Sequence, residues 1–370
     1  MKMAHFLTAM LVVAALALGW PSAGQAVTPA AKTHVVTAST PIVTNGVNYP
    51  AVVSPARANG DWLMFLGGIA SDVPAAQRKG LALTYPISQE QIWMARSTSS
   101  PSLTAWSTPR FTFGIDPSTR VAGHDNRTYA EVWPRAFSQG CDALPRRQCN
   151  VQVNDPSVVR YNGALYLYFT MLENWRWYDG SLGQIVNGQP TNPAEQNAQA
   201  IGLAVSTNEG AHWAFVDKVV PENGVTDTAG QPLAGAWAPS AMVAGADGVD
   251  VWFHDAKGAQ YAAQLAHGAT LRHVTRLNVG DATTRLNLDV RRTPSGQYDV
   301  WWNDAQFNIR RALVNAPTKL GSASGTIVVP SDDGRNRWPT PHTVLGPDGH
   351  VHLFFWLFGN TRFVHHWVVN

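Results

Sequence analysis

The chain has 370 residues, of which 14% are charged and 10% aromatic, with 15 tryptophans and a formal net charge of +2. So small a charge leaves no basic footprint for nucleic acid. The length suits one large β domain, and no Gly-rich phosphate loop, Cys-x-x-Cys pair or His-Glu-x-x-His helix anchors a nucleotide, zinc-finger or zincin reading.

Residues 1–26 carry Lys2, an apolar run from Phe6 to Trp20 and small residues around Gly24-Gln25-Ala26. This is the layout of a secretory signal peptide. The run is short for a membrane span, and no cysteine follows it to take a lipid anchor. The expectation is a secreted or periplasmic protein whose mature part, residues 27–370, has no membrane span.

The mature part reads as repeated hairpins. The first is Tyr49-Pro50-Ala51-Val52-Val53, a Gly60-Asp61 turn and Trp62-Leu63-Met64-Phe65. The second, Asn154 to Phe169, is the clearest: an Asp155-Pro156 start, a strand, Asn162-Gly163 and a second strand. Asn-Gly favours the turns whose twist suits a two-residue hairpin. The third pairs Ala238-Pro239-Ser240-Ala241-Met242 with Val251-Trp252-Phe253, and the fourth Asn287-Leu288-Asp289-Val290 with Tyr298 to Trp302. The fifth pairs Thr340-Pro341-His342-Thr343-Val344 with Val351 to Phe355. Short strands, Gly-containing turns and aromatic second strands are hairpin signals. Five of them predict an all-β fold, a five-bladed β-propeller in one domain. A two-sheet sandwich is the alternative. Helix is expected at most over Ala194–Gln199.

Two long stretches interrupt the repeats. Residues 116–150 are polar and hold both cysteines, Cys141 and Cys149. In an exported chain these are expected to form a local disulfide that clips an insertion covering one face of the propeller. Residues 179–197 form a second polar loop. Ser206-Thr207-Asn208-Glu209-Gly210-Ala211-His212-Trp213 resembles the Asp-box turn of sialidase-type propellers, and Ser97–Trp106 is a looser version. Its role there is structural: a capping side chain, a Gly with positive φ and a packing Trp.

The Asp155-Pro156 hairpin resembles the blades of glycoside hydrolase family 43 and its relatives, the five-bladed propeller glycosidases. The likeness is specific over residues 154–170 and weaker over 338–355. It implies three acids at the channel mouth: a base on the first blade, an Asp on the second that tunes pKa and position, and a proton donor on the third. Asp155 matches the second-blade acid. The first-blade position falls at Tyr49 and the third near Trp237-Ala238, neither of which is a carboxylate. His342 resembles a channel histidine that contacts a metal or water. No cofactor is required, and a Ca2+ ion beside His342 is the metal the resemblance admits.

Hairpin geometry offers replacement acids. Residues after a second strand share a rim with the start of the first. That places Glu173, His254, Asp255, Asn303, Asp304 and Arg362 near Asp155. Asp155, Glu173, Asp255 and Asp304 are the candidate catalytic carboxylates. Two carboxylates flanking a bond can hydrolyse a glycoside, and crowding separates their pKa values. Trp175 and Trp237, with Trp177 and Trp302 near them in sequence, are candidate sugar platforms. Tyr49, His254, Asn303, His342 and Arg362 are candidate substrate contacts. Asp125 and Glu131 join them if the insertion folds over the mouth. The reading is a carbohydrate partner and glycoside hydrolysis. The alternatives are a non-catalytic glycan-binding propeller and a polysaccharide lyase.

Overall fold

A computed structural model describes residues 29–37, 47–58, 60–69, 90–98, 103–133, 151–172, 185–186, 189–190, 199–277, 286–316, 320, 325–330, 337–358 and 363–369. The expected leader, the Cys141–Cys149 bond, Glu173, Trp175, Trp177 and Arg362 lie outside the described residues. Among the described residues no helix is long and apolar enough to cross a membrane.

Five four-stranded antiparallel sheets form the blades of a propeller. Strand β1 (Pro29–Thr37) belongs to the last. The first blade is β2 (Val47–Val53), β3 (Leu63–Ile69), β4 (Glu90–Arg96) and β5 (Arg110–Phe113). The second begins with β6 (Gln152–Tyr161) and β7 (Ala164–Leu172). After a short pair, β8 (Ile185–Val186) and β9 (Gln189–Pro190), it ends with β10 (Gln199–Ser206) and β11 (Ala214–Val220). The third is β12 (Trp237–Gly245), β13 (Gly248–His254), β14 (Gln260–Ala266) and β15 (Thr270–Arg276). The fourth is β16 (Leu286–Arg292), β17 (Tyr298–Asn303), β18 (Ile309–Val314) and β19 (Thr326–Val329). The fifth is β20 (Arg337–Leu345), β21 (Val351–Phe358) and β22 (Phe363–Val369), with β1 as its outer strand. The ring is thus closed by pairing the two ends of the chain, Thr33 opposite His366.

The core is divided among the seams. Five clusters of buried apolar side chains each join neighbouring blades: Phe65 with Phe169, Tyr168 with Phe253, Trp252 with Trp302, Trp301 with Phe355, and Trp93 with Phe354. A strand covered on both faces reads as a continuous apolar run, which is why Ala164–Leu172 does. Trp302, a candidate sugar platform by position, is 1% exposed in one of these seams. Close packing leaves β10 no room beside Gly202. A Cβ there would sit 2.4 Å from Met171 Sδ and 2.5 Å from a Phe169 ring carbon. Gly202→Val is expected to lower the denaturant midpoint by the equivalent of about 1–3 kcal/mol; an unchanged midpoint would show that the seam yields.

The turn chemistry follows the sequence closely. Asn162 and Gly163 both take positive φ, 49° and 78°, between paired Tyr161 and Ala164, as a primed turn requires. In the Asp-box-like turn, Gly210 N donates to Ser206 Oγ (3.0 Å) and His212 N to Asn208 Oδ1 (2.9 Å), and Trp213 packs edge-on against Phe65. Two expectations change. Gln199 starts β10 rather than ending a helix. The insertion does not cover a face of the ring over its described part: Val121 pairs with Phe215, and Ala122 N donates to Phe215 O (2.8 Å), so it covers the outer edge of the second blade. An uncovered outer strand invites pairing with another chain. The insertion contains one helical turn, α1 (Tyr129–Val132), capped by Thr128 and Glu131.

Candidate functional site

The five inner strands begin around the channel, and each carries the same irregularity. Pairing with the second strand breaks after Asn48, Asn154, Trp237, Leu286 and Arg337, and resumes at Ala51, Ser157, Ser240, Asp289 and Thr340. The first bulged residue is left-handed in four blades: Tyr49 (φ 48°), Asp155 (47°), Ala238 (50°) and Asn287 (50°). Non-glycine residues rarely adopt this conformation, it costs on the order of 1–3 kcal/mol, and it concentrates at functional sites. A bulge also re-aims a side chain. The fifth blade's equivalent of Asp155-Pro156 is Trp338-Pro339, two residues ahead of the Thr340-Pro341 pair singled out in the sequence. Around the bulges lies a narrow pocket of about 20 Å3, room for little more than one water molecule, lined by all five blades.

The residues just after the bulges tie the ring together. Ser157 Oγ accepts from Ala241 N (2.8 Å) and Ser240 Oγ from Val290 N (3.0 Å), each in the next blade. Asp289 stands at the same position in the fourth blade. Its Oδ2 accepts from Thr343 N (2.8 Å) and Thr343 Oγ1 (2.6 Å).

Asp155 is differently placed. Its Oδ2 accepts from Thr170 Oγ1 (2.8 Å), and Thr170 Oγ1 itself accepts from Ala238 N (2.8 Å). The hydroxyl hydrogen is therefore directed at Asp155. Oδ1 is buried and has no hydrogen-bond partner among the described residues. Burial pushes the carboxyl up to about 7, against the Thr170 hydrogen bond and helped by the charge of Glu90. Near neutral pH both the protonated and the ionised forms of Asp155 are therefore within reach, and Oδ1 is the oxygen left to hold the proton.

His342 lies between the fifth, fourth and first blades. Its Nδ1 meets Asp289 Oδ1 at 3.2 Å and its Nε2 meets Val52 O at 2.9 Å. A carbonyl only accepts, so Nε2 carries a hydrogen and is not a metal ligand. Burial opposes the charged ring, but the Asp289 carboxylate and the hydrogen bonds to Asp289 and Val52 outweigh it and raise the pKa. A Ca2+ ion takes six to eight oxygen ligands. The site puts Asp289 against Thr343 and the imidazole, and among the described residues no three His, Cys, Asp or Glu side chains gather as a metal would need. The residues present do not fit the ion.

The raised pKa fixes a sign. In the unfolded chain His342 titrates near 6.5. Its stabilising contribution is complete below that pH and is lost as pH rises through the higher folded value. The stability difference between the protein and His342→Gln, read from denaturant midpoints, is therefore expected to be largest at pH 5.5–6 and to shrink towards pH 9. A difference that grows with pH would contradict the Asp289 pairing.

Several expected acids are engaged in turns. Asp255 Oδ1 accepts from Lys257 N and Ala259 N, both at 2.9 Å, and Oδ2 from Tyr261 Oη (3.2 Å). Asp304 Oδ1 accepts from Gln306 N (2.9 Å) and Asn308 N (3.0 Å), and Oδ2 pairs with Arg310. Burial alone would raise the Asp304 pKa, but its Asn308 and Arg310 hydrogen bonds hold it down. Both are caps of the loop between second and third strands, not available proton carriers. Asp125 (φ 55°) and Glu131 sit on the insertion at the blade edge, away from the channel. Glu131 accepts from Thr128 N and Oγ1, which lowers its pKa.

Of the other expected contacts, two reach the mouth. Tyr49 and His342 line the pocket, and Tyr49 lies 5.8 Å from the Trp356 ring. Trp237, half-buried and next in the chain to the pocket-lining Ala238, meets His254 edge-on at 5.6 Å, and its Nε1 has no partner among the described residues. His254 is buried and pairs with Asp255 O (3.0 Å) and Asn287, and burial lowers its pKa. Asn303, 1% exposed, lies opposite Leu286, and neither of its side-chain polar atoms has a partner among the described residues. Sequence reasoning missed Thr170. Thr170 is signalled only by standing opposite Asn154 in the hairpin register.

No protein-family profile matches the sequence, and no curated protein matches it. Solved structures do. A GH43_1 enzyme from Xanthomonas citri matches at 11% identity over 90% of both chains, with a TM-score of 0.53. The α-L-arabinanase of Cellvibrio cellulosa, solved with arabinohexaose, matches at 11% identity over 88% of this chain and 95% of its own, TM-score 0.54. The Bacillus subtilis arabinanase Arb43A matches at 12% identity over 87% and 94%, TM-score 0.51. The likeness is one of fold: the chain has the five-bladed propeller seen in family 43 glycoside hydrolases.

Proposed function

We propose that the protein is an exported carbohydrate-active enzyme that hydrolyses a glycosidic bond over the channel mouth, with Asp155 as the proton donor. The observation that carries this reading is Asp155 itself. Its bulge turns it to the pocket, Thr170 fixes one oxygen, and a pKa of about 7 keeps a proton on the other. A general acid works best with a pKa near the operating pH, and glycosidases obtain one by burying a carboxyl. The substrate class follows from the fold's occupants. An arabinanase of this architecture was solved with arabinohexaose, so a polymer or oligomer of sugars is the natural ligand here too.

The three-acid arrangement of the family is not the route. Tyr49 and Ala238 occupy the bulge positions in the blades on either side of Asp155. That same observation favours a second reading, a propeller that binds glycan without cleaving it. A panel of arabino-, xylo- and gluco-oligosaccharides separates the two in 18O-labelled water. Hydrolysis predicts new reducing ends carrying one 18O each. Binding alone predicts no new ends from any glycan, with affinity that falls on Trp237→Ala. Products that absorb near 230 nm without taking up 18O would instead mark a lyase.

A further inference from the structure

We propose that Gly67 is a positioning residue for Asp155: lacking a side chain, it leaves open the place from which the preceding blade otherwise caps the residue at a bulge. Its bearing on turnover rests on the hydrolytic reading, whereas the missing cap stands on the blade geometry alone.

The repeat supplies the comparison. In the first four blades one residue of the second strand pairs with the last residue before the bulge: Gly67 with Asn48, Thr170 with Asn154, His254 with Trp237 and Asn303 with Leu286. Two residues earlier stand Phe65, Tyr168, Trp252 and Trp301, and each packs into the seam with the following blade. Side chains two apart on a strand share a face, so the aligned position faces the following blade as well. In the second and third blades it reaches the next bulge. Thr170 Oγ1 accepts from Ala238 N (2.8 Å), and His254 pairs with the side chain of Asn287. The blade that follows Gly67 carries Asp155 at this point, and β3 packs against β6. Gly67 is buried and has no side chain to reach across. Asp155 Oδ1 is buried too, with no hydrogen-bond partner among the described residues. Buried polar groups are generally paired, and the donor missing here is the one that the repeat would supply.

A hydrogen bond donated to a carboxylate favours its charged form. Omitting the cap therefore leaves Asp155 able to hold a proton and keeps Oδ1 for a group from outside the protein. The other titratable groups around Asp155 are Glu90 on β4 and, at the pocket, Tyr49, Asp289 and His342, the last two held against each other. A change at position 67 keeps all of them in the chain. A serine there would supply the cap. By the pattern of Thr170 its hydroxyl would accept from Asp155 N. The first blade has Tyr49 rather than an acid at its own bulge, so the hydroxyl hydrogen is left for Asp155 Oδ1.

The test follows the Asp155 carboxyl by 13C NMR in aspartate-labelled Gly67→Ser and Gly67→Ala from pH 4 to 9, alongside turnover. The two new side chains differ by one hydroxyl, so any packing strain is common to both. Gly67→Ser is expected to bring the Asp155 midpoint about one pH unit below that of Gly67→Ala. Turnover at pH 7 is expected to be about fivefold lower in the serine variant, because less of the acid is protonated. Equal midpoints in the two variants overturn the proposal, whatever the turnover. A lower midpoint in Gly67→Ser, in a protein that cleaves no glycan, keeps the missing cap and removes the hydrolytic reading instead. If the seam rejects both side chains, a crystal structure of the unaltered protein decides. Oδ1 bonded to solvent alone supports the open place, and a protein donor on it overturns the proposal.

Discussion

Asp155→Asn is expected to stabilise the folded protein at high pH while removing its activity. Asp155 titrates near 7 when folded and near 3.8 when unfolded. Between those values the native state binds more protons than the unfolded state, so stability falls as pH rises through that window. Below pH 4 there is no penalty, and above about 7 it is complete. A rise from 3.8 to about 7 corresponds to at most about 4 kcal/mol. Asparagine stays neutral and escapes the penalty, though its amide must still find a place for two hydrogens beside Thr170. Denaturant midpoints should therefore show the variant close to the unaltered protein at pH 4 and more stable by a few kcal/mol at pH 8. A variant less stable at pH 8 than at pH 4, relative to the unaltered protein, would contradict the protonated state assigned here.

The second large effect lies in the fourth blade. Asp299, 0% exposed, accepts from Arg311 Nε (2.8 Å) and Nη2 (3.1 Å), and also pairs with Arg291. The Arg311 guanidinium lies 5.1 Å from the Trp301 ring. Both arginine side chains are only 15% exposed. Deleting the shared carboxylate leaves two largely buried cations facing each other. Asp299→Ala is expected to cost about 3–5 kcal/mol, the scale for breaking a buried ion pair. Replacing all three charges together with apolar residues of similar size should cost far less. Thermal melts of the single and triple variants check this. A single variant with an unchanged melting temperature would mean that water already reaches the arginines.

The β-propeller could be read from the chain because its signals are local. Asn162-Gly163 specifies its own turn, and aromatic second strands such as Tyr298–Trp302 announce seams packed on both sides. Most of the bulges are marked by proline, which within a sheet is confined to edges, strand starts and bulges, but the fifth repeat holds two, Pro339 and Pro341. The sequence pattern therefore points to Thr340-Pro341 in the fifth repeat, whereas the register places Trp338-Pro339 there. Asp255 and Asp304 were ambiguous for a chemical reason. An aspartate after a strand suits a rim site and a turn cap equally, and only the backbone N–H groups of Lys257, Ala259, Gln306 and Asn308 decide between them. Docking of an insertion depends on contacts far away in sequence, here Val121 with Phe215, so Asp125 and Glu131 could not be placed.

The central claim is that Asp155 hands a proton to a glycosidic oxygen at the channel mouth. Its most direct test is the pH dependence of turnover for the first glycan the panel identifies, in the unaltered protein and in Asp155→Asn. A proton donor titrating near 7 predicts a rate that declines above neutral pH in the unaltered protein and is about 10²–10⁴-fold lower in the variant, with glycan affinity retained. Turnover by Asp155→Asn at the unaltered rate, with the same pH profile, would contradict it.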